Sequence, residues 1–265
     1  KGTTIDVKVP IGGVIENILV KEGDLVEQDQ ILLKLDTTAA SAKLEALQRV
    51  KSQINADIVL RMPCGGGVGA GPFHSQTNEA WFTKTAGLIV VYPAFPDDAK
   101  GLLISSIENP NPVMFFEHKA LYRSIRGNVP KGYYNIKIGK AKLIKNGNKI
   151  SIITYGLGVH EAIKVVEKHL IDSDLIDLRT LNPLDKKCII DSVKKTGKAI
   201  ILQEDSLFGG IASEISSIVM ENCFEFLDAP VKRVGSLDTP IPFETNLEKQ
   251  YLPFDRFEKE LLELL

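Results

Sequence analysis

The second half of the chain alternates apolar runs with amphipathic stretches, and this alternation restricts the fold more than any other feature. Apolar runs of the buried type predict strands at 150–155, 175–178, 199–202 and 231–234. Helical periodicity predicts helices at 161–170, 184–195 and 212–222. Strands separated by helices of about ten residues are typical of parallel βαβ units with both sheet faces covered. We therefore predict an open, doubly wound α/β sheet for residues 139–265.

A less regular alternation precedes it and surrounds a glycine-rich loop at 65–71. Apolar runs predict strands at 58–60, 88–92 and 113–116, and helices are predicted at 79–82 and 97–107. The following segment carries Gly127, Pro130 and Gly132, which favour a linker. The sequence thus predicts an α/β region at 55–123, a linker at 124–138 and a second α/β region at 139–265.

The first 54 residues are different in kind. Residues 1–38 alternate apolar and polar side chains around turns at Gly12-Gly13 and Gly23, which predicts an all-β unit. Residues 39–54 have the period of an amphipathic helix, whose narrow apolar stripe suits a coiled-coil partner or one side of a core equally well. The chain opens on Lys1 and not on Met, so we expect a fragment.

Composition excludes several classes of function. The 32 Lys and Arg residues against 34 Asp and Glu residues give a net charge of -2, so no overall field favours nucleic acid. No apolar run is long enough to span a bilayer, and no secretory leader is recognisable. The three cysteines have neither disulfide-framework nor metal-ligand spacing, which fits a reducing compartment. We expect a cytoplasmic protein.

The glycine-rich loop allows two interpretations. Gly65, Gly67 and Ala70 fit the G-x-G-x-x-A pattern of dinucleotide sites, but that pattern requires a helix opening on the last small residue. Pro72 and Phe73 follow instead, which disfavours a nicotinamide site. The loop leads to His74, and histidine is the side chain best suited to proton transfer near neutral pH. A purely structural histidine remains the alternative.

The string at 61–76, which spans the loop and His74, resembles a signature of the β subunits of branched-chain 2-oxo-acid and pyruvate dehydrogenases, which are transketolase-like. The resemblance continues through many separate segments. These are 79–82, 98–103, 111–113, 115–119, 121–123, 154–156, 159–162, 176–185, 228–231, 238–240 and 247–249. It covers residues 55–265 almost without interruption. It implies a partial pyrimidine-binding α/β domain at 55–123 and a transketolase C-terminal-like domain at 139–265.

The resemblance also implies a function. In this family the β subunit pairs with an α subunit and a second β subunit, and thiamine diphosphate with Mg²⁺ lies between α and β. A 2-oxo acid is oxidatively decarboxylated, and its acyl group passes to the lipoyl arm of an acyltransferase core. His74 matches the family's histidine beside the cofactor, with a role in positioning or proton transfer. A site for K⁺, held largely by backbone oxygens, is implied at Ser106, Asn109 and Asn111. The family more often has Asp at position 109, a change that a carbonyl ligand survives.

Three other histidines have weaker cases for a functional role. His118 is expected to be a hydrogen-bonded structural residue. His160 is expected to open the first helix of the C-terminal domain, and His169 to lie late in it.

The chain departs from the family in residues 1–54. The family's front section, with the glutamate that activates thiamine diphosphate, is not identifiable there, so we expect the isolated chain to be inactive. These residues instead resemble biotinyl/lipoyl-like half-barrels of membrane-fusion proteins, through 13–15, 20–26, 30–32 and 35–36. Lys34 and Lys43 lie away from the turn where swinging arms are modified. The hypotheses are an enzyme subunit, a non-catalytic docking module, or a membrane-fusion-like adaptor.

Overall fold

The structure is a computed structural model that describes residues 15–21, 23–27, 30–35 and 56–265. The chain divides into two compact units, 1–55 and 56–265. In the first unit, β1 (Ile15–Ile18) pairs antiparallel with β2 (Leu33–Leu35). Between them Gly23 has a positive φ of 93°, and the Lys21 N–H donates to the Asp24 carboxylate at 2.8 Å. The helix predicted at 39–54 lies outside the described residues.

The first sheet of the second unit has four strands in the order β3-β5-β4-β9. They are β3 (Val59–Cys64), β4 (Ile89–Val91), β5 (Val113–His118) and β9 (Thr180–Asn182). β3 and β4 run parallel to β5, whereas β9 pairs antiparallel with β4. The helices of this region are α1 (Gly71–His74), α2 (Glu79–Thr83), α3 (Pro96–Ile107) and α4 (Leu121–Ser124). Because β9 comes from the second half of the chain, the two halves share this sheet.

The second sheet has five strands in the order β11-β10-β7-β8-β6. They are β6 (Lys142–Lys145), β7 (Ile150–Thr154), β8 (Ser173–Asp177), β10 (Ala199–Ser206) and β11 (Lys232–Ser236). All pairings are parallel except that of the edge strand β6 with β8. The helices are α5 (Leu157–Lys168), α6 (Lys186–Thr196), α7 (Ile211–Cys223), α8 (Thr245–Tyr251) and α9 (Phe254–Leu264).

Burial explains the apolar runs. In β7, Ile150 and Ile152 pack into one core cluster with α5 and α9, while Ile153 packs into the other with α6 and α7. Successive side chains of a strand point to opposite faces, so a strand covered on both faces is apolar throughout. The predicted doubly wound α/β sheet is confirmed.

Some predicted details are wrong. α5 begins at Leu157, so His160 lies inside its first turns and does not open it. One helical turn, α1, follows the glycine-rich loop where we expected none. Proline is compatible with the first positions of a helix because its missing N–H would have no partner there, and Pro72 occupies such a position. In the described part of the chain, no helix or strand lies between Ser124 and Lys142.

Candidate functional site

The glycine-rich loop begins where β3 ends and packs directly on His118, the last residue of β5. Gly65 has a φ of +91°, a conformation that side chains with a Cβ rarely adopt. A Cβ at Gly65 would lie 2.1 Å from the His118 Nε2 atom. Glycine at this position therefore has two causes, the backbone conformation and the close approach of the imidazole.

Carboxylates of the C-terminal domain hold the loop by its backbone. The Gly66 N–H donates to Glu204 Oε1 at 2.7 Å, and the Gly69 N–H donates to Glu248 Oε2 at 3.0 Å. Glu204 lies in β10 and Glu248 in α8, and both side chains are buried. Hydrogen bonds from N–H groups to a carboxylate are stronger than those to a neutral acceptor. The loop is therefore attached at two points to the C-terminal region, at strand β10 and at helix α8.

His118, at the end of β5, also contacts Glu204. Its Nε2 lies 2.7 Å from Glu204 Oε2, and the residue is 2% exposed. Because the partner is a carboxylate, Nε2 carries a proton and donates it to this bond. The structural, hydrogen-bonded role expected for His118 fits this geometry.

A second buried acid lies beside this cluster. Glu79, at the start of α2, is fully buried, and the Tyr155 hydroxyl donates to its Oε1 at 2.5 Å. Burial raises the pKa of the Glu79 carboxyl to about 8, and the nearby Asp205 carboxylate adds to the rise. Burial also raises the pKa of Asp205, to about 6. At neutral pH Glu79 is therefore largely protonated and can reside in this apolar environment.

His74 ends α1 and is exposed. It lines a depression of about 300 Å³ together with Met62, Pro63, Phe73, Gln76, Asn78 and Lys119. The next residue, Ser75, is 1% exposed, and its hydroxyl has no hydrogen-bond partner among the described residues. The His74 imidazole is therefore open to a ligand, whereas the Ser75 hydroxyl is buried within the protein.

Ser106, Asn109 and Asn111 lie together where α3 ends. The Ser106 hydroxyl donates to the Leu102 carbonyl at 2.7 Å. The Asn109 Oδ1 atom accepts both the backbone and the side-chain N–H of Asn111, each at 3.0 Å. The Asn109 Oδ1 atom is thus occupied, and the Ser106 carbonyl accepts the Asn109 N–H at 3.3 Å. A carbonyl oxygen keeps a second lone pair after accepting one hydrogen bond, so these contacts are compatible with a cation held by backbone oxygens.

Glu79, Glu204 and Glu248 were not singled out by sequence. Glu204 does carry a signal, since it follows the apolar run 199–202 and a strand of that kind is buried on both faces. Its partner Gly66 is 138 positions away, which no local pattern shows. In the described ranges, no three His, Cys, Asp or Glu side chains are placed to hold a metal ion, and no helix is long and apolar enough to cross a membrane.

The two sheets and the loop between them define a two-domain α/β protein. Residues 38–124 match the family described as transketolase, pyrimidine binding domain, and residues 139–256 match transketolase, C-terminal domain. The chain therefore combines these two transketolase domains. The first match begins at residue 38, ahead of the boundary predicted at 55.

The chain is similar to dehydrogenase β subunits. It is 44% identical over 208 residues to the 2-oxoisovalerate dehydrogenase subunit beta of Bacillus subtilis, covering 77% of this chain and 64% of the relative. It is 44% identical over 199 residues to the pyruvate dehydrogenase E1 component subunit beta of the same organism, covering 74% and 61%. The mitochondrial 2-oxoisovalerate subunit beta of Dictyostelium discoideum is also 44% identical, over 200 residues that cover 74% and 54%. The chain thus spans less than two thirds of these relatives.

A solved structure shares the fold. A split gene transketolase, described as an inactive beta4 tetramer, superposes with a TM-score of 0.62 at 20% identity, covering 85% of this chain and 74% of that one. These findings confirm the family resemblance of residues 55–265. They lend no support to the membrane-fusion resemblance of residues 1–54.

Proposed function

We propose that this chain acts as the β-subunit part of a 2-oxo-acid dehydrogenase, which oxidatively decarboxylates a 2-oxo acid and transfers the acyl group to a lipoyl arm. The observation that carries the proposal is the 44% identity with β subunits over about 200 residues, a stretch that contains both the loop and His74. In this proposal the chain acts together with a partner subunit, and the chain alone is inactive.

The proposed partners are an α subunit, a second β subunit and a lipoyl-bearing acyltransferase core. Large aromatic side chains stand exposed beside His74, in support of a surface that a partner covers. Phe73 is 82% exposed, Trp81 64% and Phe243 59%. The rings of Phe73 and Phe243 lie 6.4 Å apart between centroids. No nucleic acid and no membrane are involved in this proposal.

The proposed cofactor is thiamine diphosphate with Mg²⁺, shared with the α subunit. When bound, it supplies the nucleophilic carbon for decarboxylation. Among this chain's own residues, His74 is exposed and follows a loop that is attached to Glu204 and Glu248. Its imidazole can therefore contact a ligand while the backbone beside it stays fixed. Its role is to orient substrate or move a proton. Backbone oxygens at Ser106, Asn109 and Asn111 are proposed to hold K⁺ and to stabilise the end of α3.

We also propose a domain organisation, which rests on the sequence patterns. A biotinyl/lipoyl-like half-barrel at 1–38 and a helix at 39–54 precede the pyrimidine-binding domain at 55–123. The linker at 124–138 leads to the C-terminal domain at 139–265. The antiparallel pairing of β1 with β2 is compatible with the first of these assignments.

His74→Ala in the chain assembled with a cognate α subunit tests the site. We expect the rate of acyl transfer to fall by about 100-fold or more, the usual contribution of a positioned acid or base. His169→Ala is the matched control, because His169 contacts Glu258 at the end of α5. An unchanged rate in His74→Ala, with the control also unchanged, would show that His74 takes no part in the reaction.

A further inference from the structure

Glu204 connects three parts of the molecule through one buried carboxylate. It is 7% exposed and belongs to β10, the strand of the second sheet that lies between β11 and β7. One oxygen accepts the Gly66 N–H and the other contacts His118 Nε2, both at 2.7 Å. The carboxylate thus touches the loop and the end of β5 at once.

The space around the loop makes this contact restrictive. A Cβ built on Gly66 would lie 2.8 Å from Ile241 Cδ1, 3.1 Å from Leu252 Cδ2 and 3.5 Å from Glu204 Oε1. The loop backbone is therefore pressed against side chains of the C-terminal domain on one side, while His118 closes on Gly65 from the other. Both carboxylate oxygens are occupied, one by the Gly66 N–H and the other by His118 Nε2. Rotation of the carboxylate away from this orientation would therefore break both hydrogen bonds.

The position of Gly66 affects that of His74, because only a short length of chain lies between them. Gly66 and His74 are separated by seven residues, four of them in the loop and the others in the single turn of α1. The second attachment, Gly69 to Glu248, lies between them and is longer at 3.0 Å. Fixing Gly66 therefore limits the positions that the imidazole can take.

We propose that Glu204 is a positioning residue that holds the glycine-rich loop, and with it His74, against the C-terminal domain. The part concerning catalysis rests on the proposed function. The part concerning the loop does not, and it is measurable in the chain alone.

The first experiment measures amide hydrogen exchange in Glu204→Ala, Glu204→Gln and Glu258→Gln. Glu258 is the matched control, because it too contacts a histidine, but at the chain's surface. We expect Glu204→Ala to speed exchange in peptides covering 61–76 by about tenfold or more, the change that follows loss of a charge-assisted hydrogen bond. Peptides covering β7 should change by less than about twofold in the same variant. A loss of global stability would speed exchange in all peptides, whereas release of the loop alone would not.

Glu204→Gln separates positioning from simple packing. Its carbonyl can still accept the Gly66 N–H, so exchange at 61–76 should lie between wild type and Glu204→Ala. If Glu204→Ala does not fold, Glu204→Gln carries the test by itself, and exchange must rise more at 61–76 than in β7. Equal changes in both regions, or none in either variant, would overturn the proposal.

The second experiment measures steady-state kinetics in the assembled complex. We expect Glu204→Gln to lower kcat by about tenfold while KM changes by less than twofold, because a displaced His74 affects the reaction more than the binding of substrate. Glu258→Gln should leave both constants unchanged. If wild type itself shows no activity with any α subunit, the proposed function fails while the exchange result still decides the loop. If wild type is active and kcat is unchanged in Glu204→Gln, Glu204 does not position His74.

Discussion

Glu79 is surrounded by protein on all sides, and its second oxygen, Oε2, has no hydrogen-bond partner among the described residues. Its pKa of about 8 follows from this burial and from the Asp205 carboxylate. Asp177, also fully buried, has its pKa raised to about 7 for the same first reason. These carboxyls bind a proton in the folded chain at pH values where the unfolded chain has released it.

The unfolding free energy should therefore fall as pH rises from about 5 to 8. A raised folded pKa contributes stability that is complete below the unfolded value and is lost as pH passes the folded value. Glu79→Gln should make this slope shallower by up to about 1.4 kcal/mol per pH unit. Denaturant unfolding at pH 5, 6, 7 and 8 measures it. Glu258→Gln is the control, because lysine and histidine contacts lower the pKa of exposed Glu258, and a slope unchanged by Glu79→Gln would contradict the account.

A side chain at Gly65 would destabilise the chain in two ways, through backbone strain and through a clash with His118. Comparison of Gly65→Ala with a second glycine variant separates them. Gly87 is the matched position, since its φ of +88° nearly equals that of Gly65 but nothing lies within 4 Å of its Cβ site. We expect Gly87→Ala to cost about 1–3 kcal/mol from backbone strain alone. Gly65→Ala should cost more because the new methyl meets the His118 ring, and the double variant with His118→Ala should recover part of the excess. An equal loss of unfolding free energy in the two variants would show that the His118 ring moves aside without a measurable cost.

α3 is joined to the second half of the chain by a buried ion pair. Asp98 in its first turn is fully buried and accepts from Arg179 at 2.5 Å and from Lys142 at 3.2 Å. Arg179 has a positive φ of 57° between β8 and β9. β9 itself completes the first sheet by pairing with β4. One carboxylate thus connects helix α3, strand β6 and the residue directly before β9.

Asp98→Asn should destabilise the chain by about 3–5 kcal/mol, because it leaves a partly buried guanidinium without its counter-charge. Asp191→Asn is the control, since Asp191 forms an exposed pair with Lys187 one helical turn away on α6, and exposed pairs contribute about 0–1 kcal/mol. Urea unfolding at pH 7 measures both variants. Similar small losses in the two would mean that Asp98 does not join the domains.

The sequence predicted the buried strands because their side chains are apolar on both faces. β6 and β9 were missed for physical reasons. β6 reads Lys-Leu-Ile-Lys and lies at a sheet edge, so its apolar content is low. β9 is three residues long and owes its existence to β4, about 90 positions earlier in the chain. Elements defined by a distant partner leave little trace in their own sequence.

The candidate site also contains residues that the sequence predicted and residues that it did not. His74 was identifiable because its glycine-rich loop is contiguous and resembles a known motif. Glu79, Glu204 and Glu248 have the composition of surface charges, and only their burial and their partners distinguish them. The structure moreover brings His118 and Glu204 together from two domains. Sequence alone could therefore predict the loop and not the carboxylates that hold it.

As a whole, residues 56–265 form one compact unit, in which a polar contact at the loop connects the two sheets and the second half of the chain contributes β9 to the first sheet. The exposed aromatic side chains beside His74 leave this unit with a surface suited to a further subunit. We propose that the chain supplies half of a cofactor site and that an α subunit supplies the rest.

Calorimetric titration of thiamine diphosphate with Mg²⁺ tests this claim most directly, into the chain, into a cognate α subunit and into their mixture. We predict saturable binding in the mixture, tighter than in either protein alone by about tenfold or more (about 1.4 kcal/mol). A mixture that binds the cofactor no better than the α subunit alone, from a demonstrably folded chain, would contradict the account.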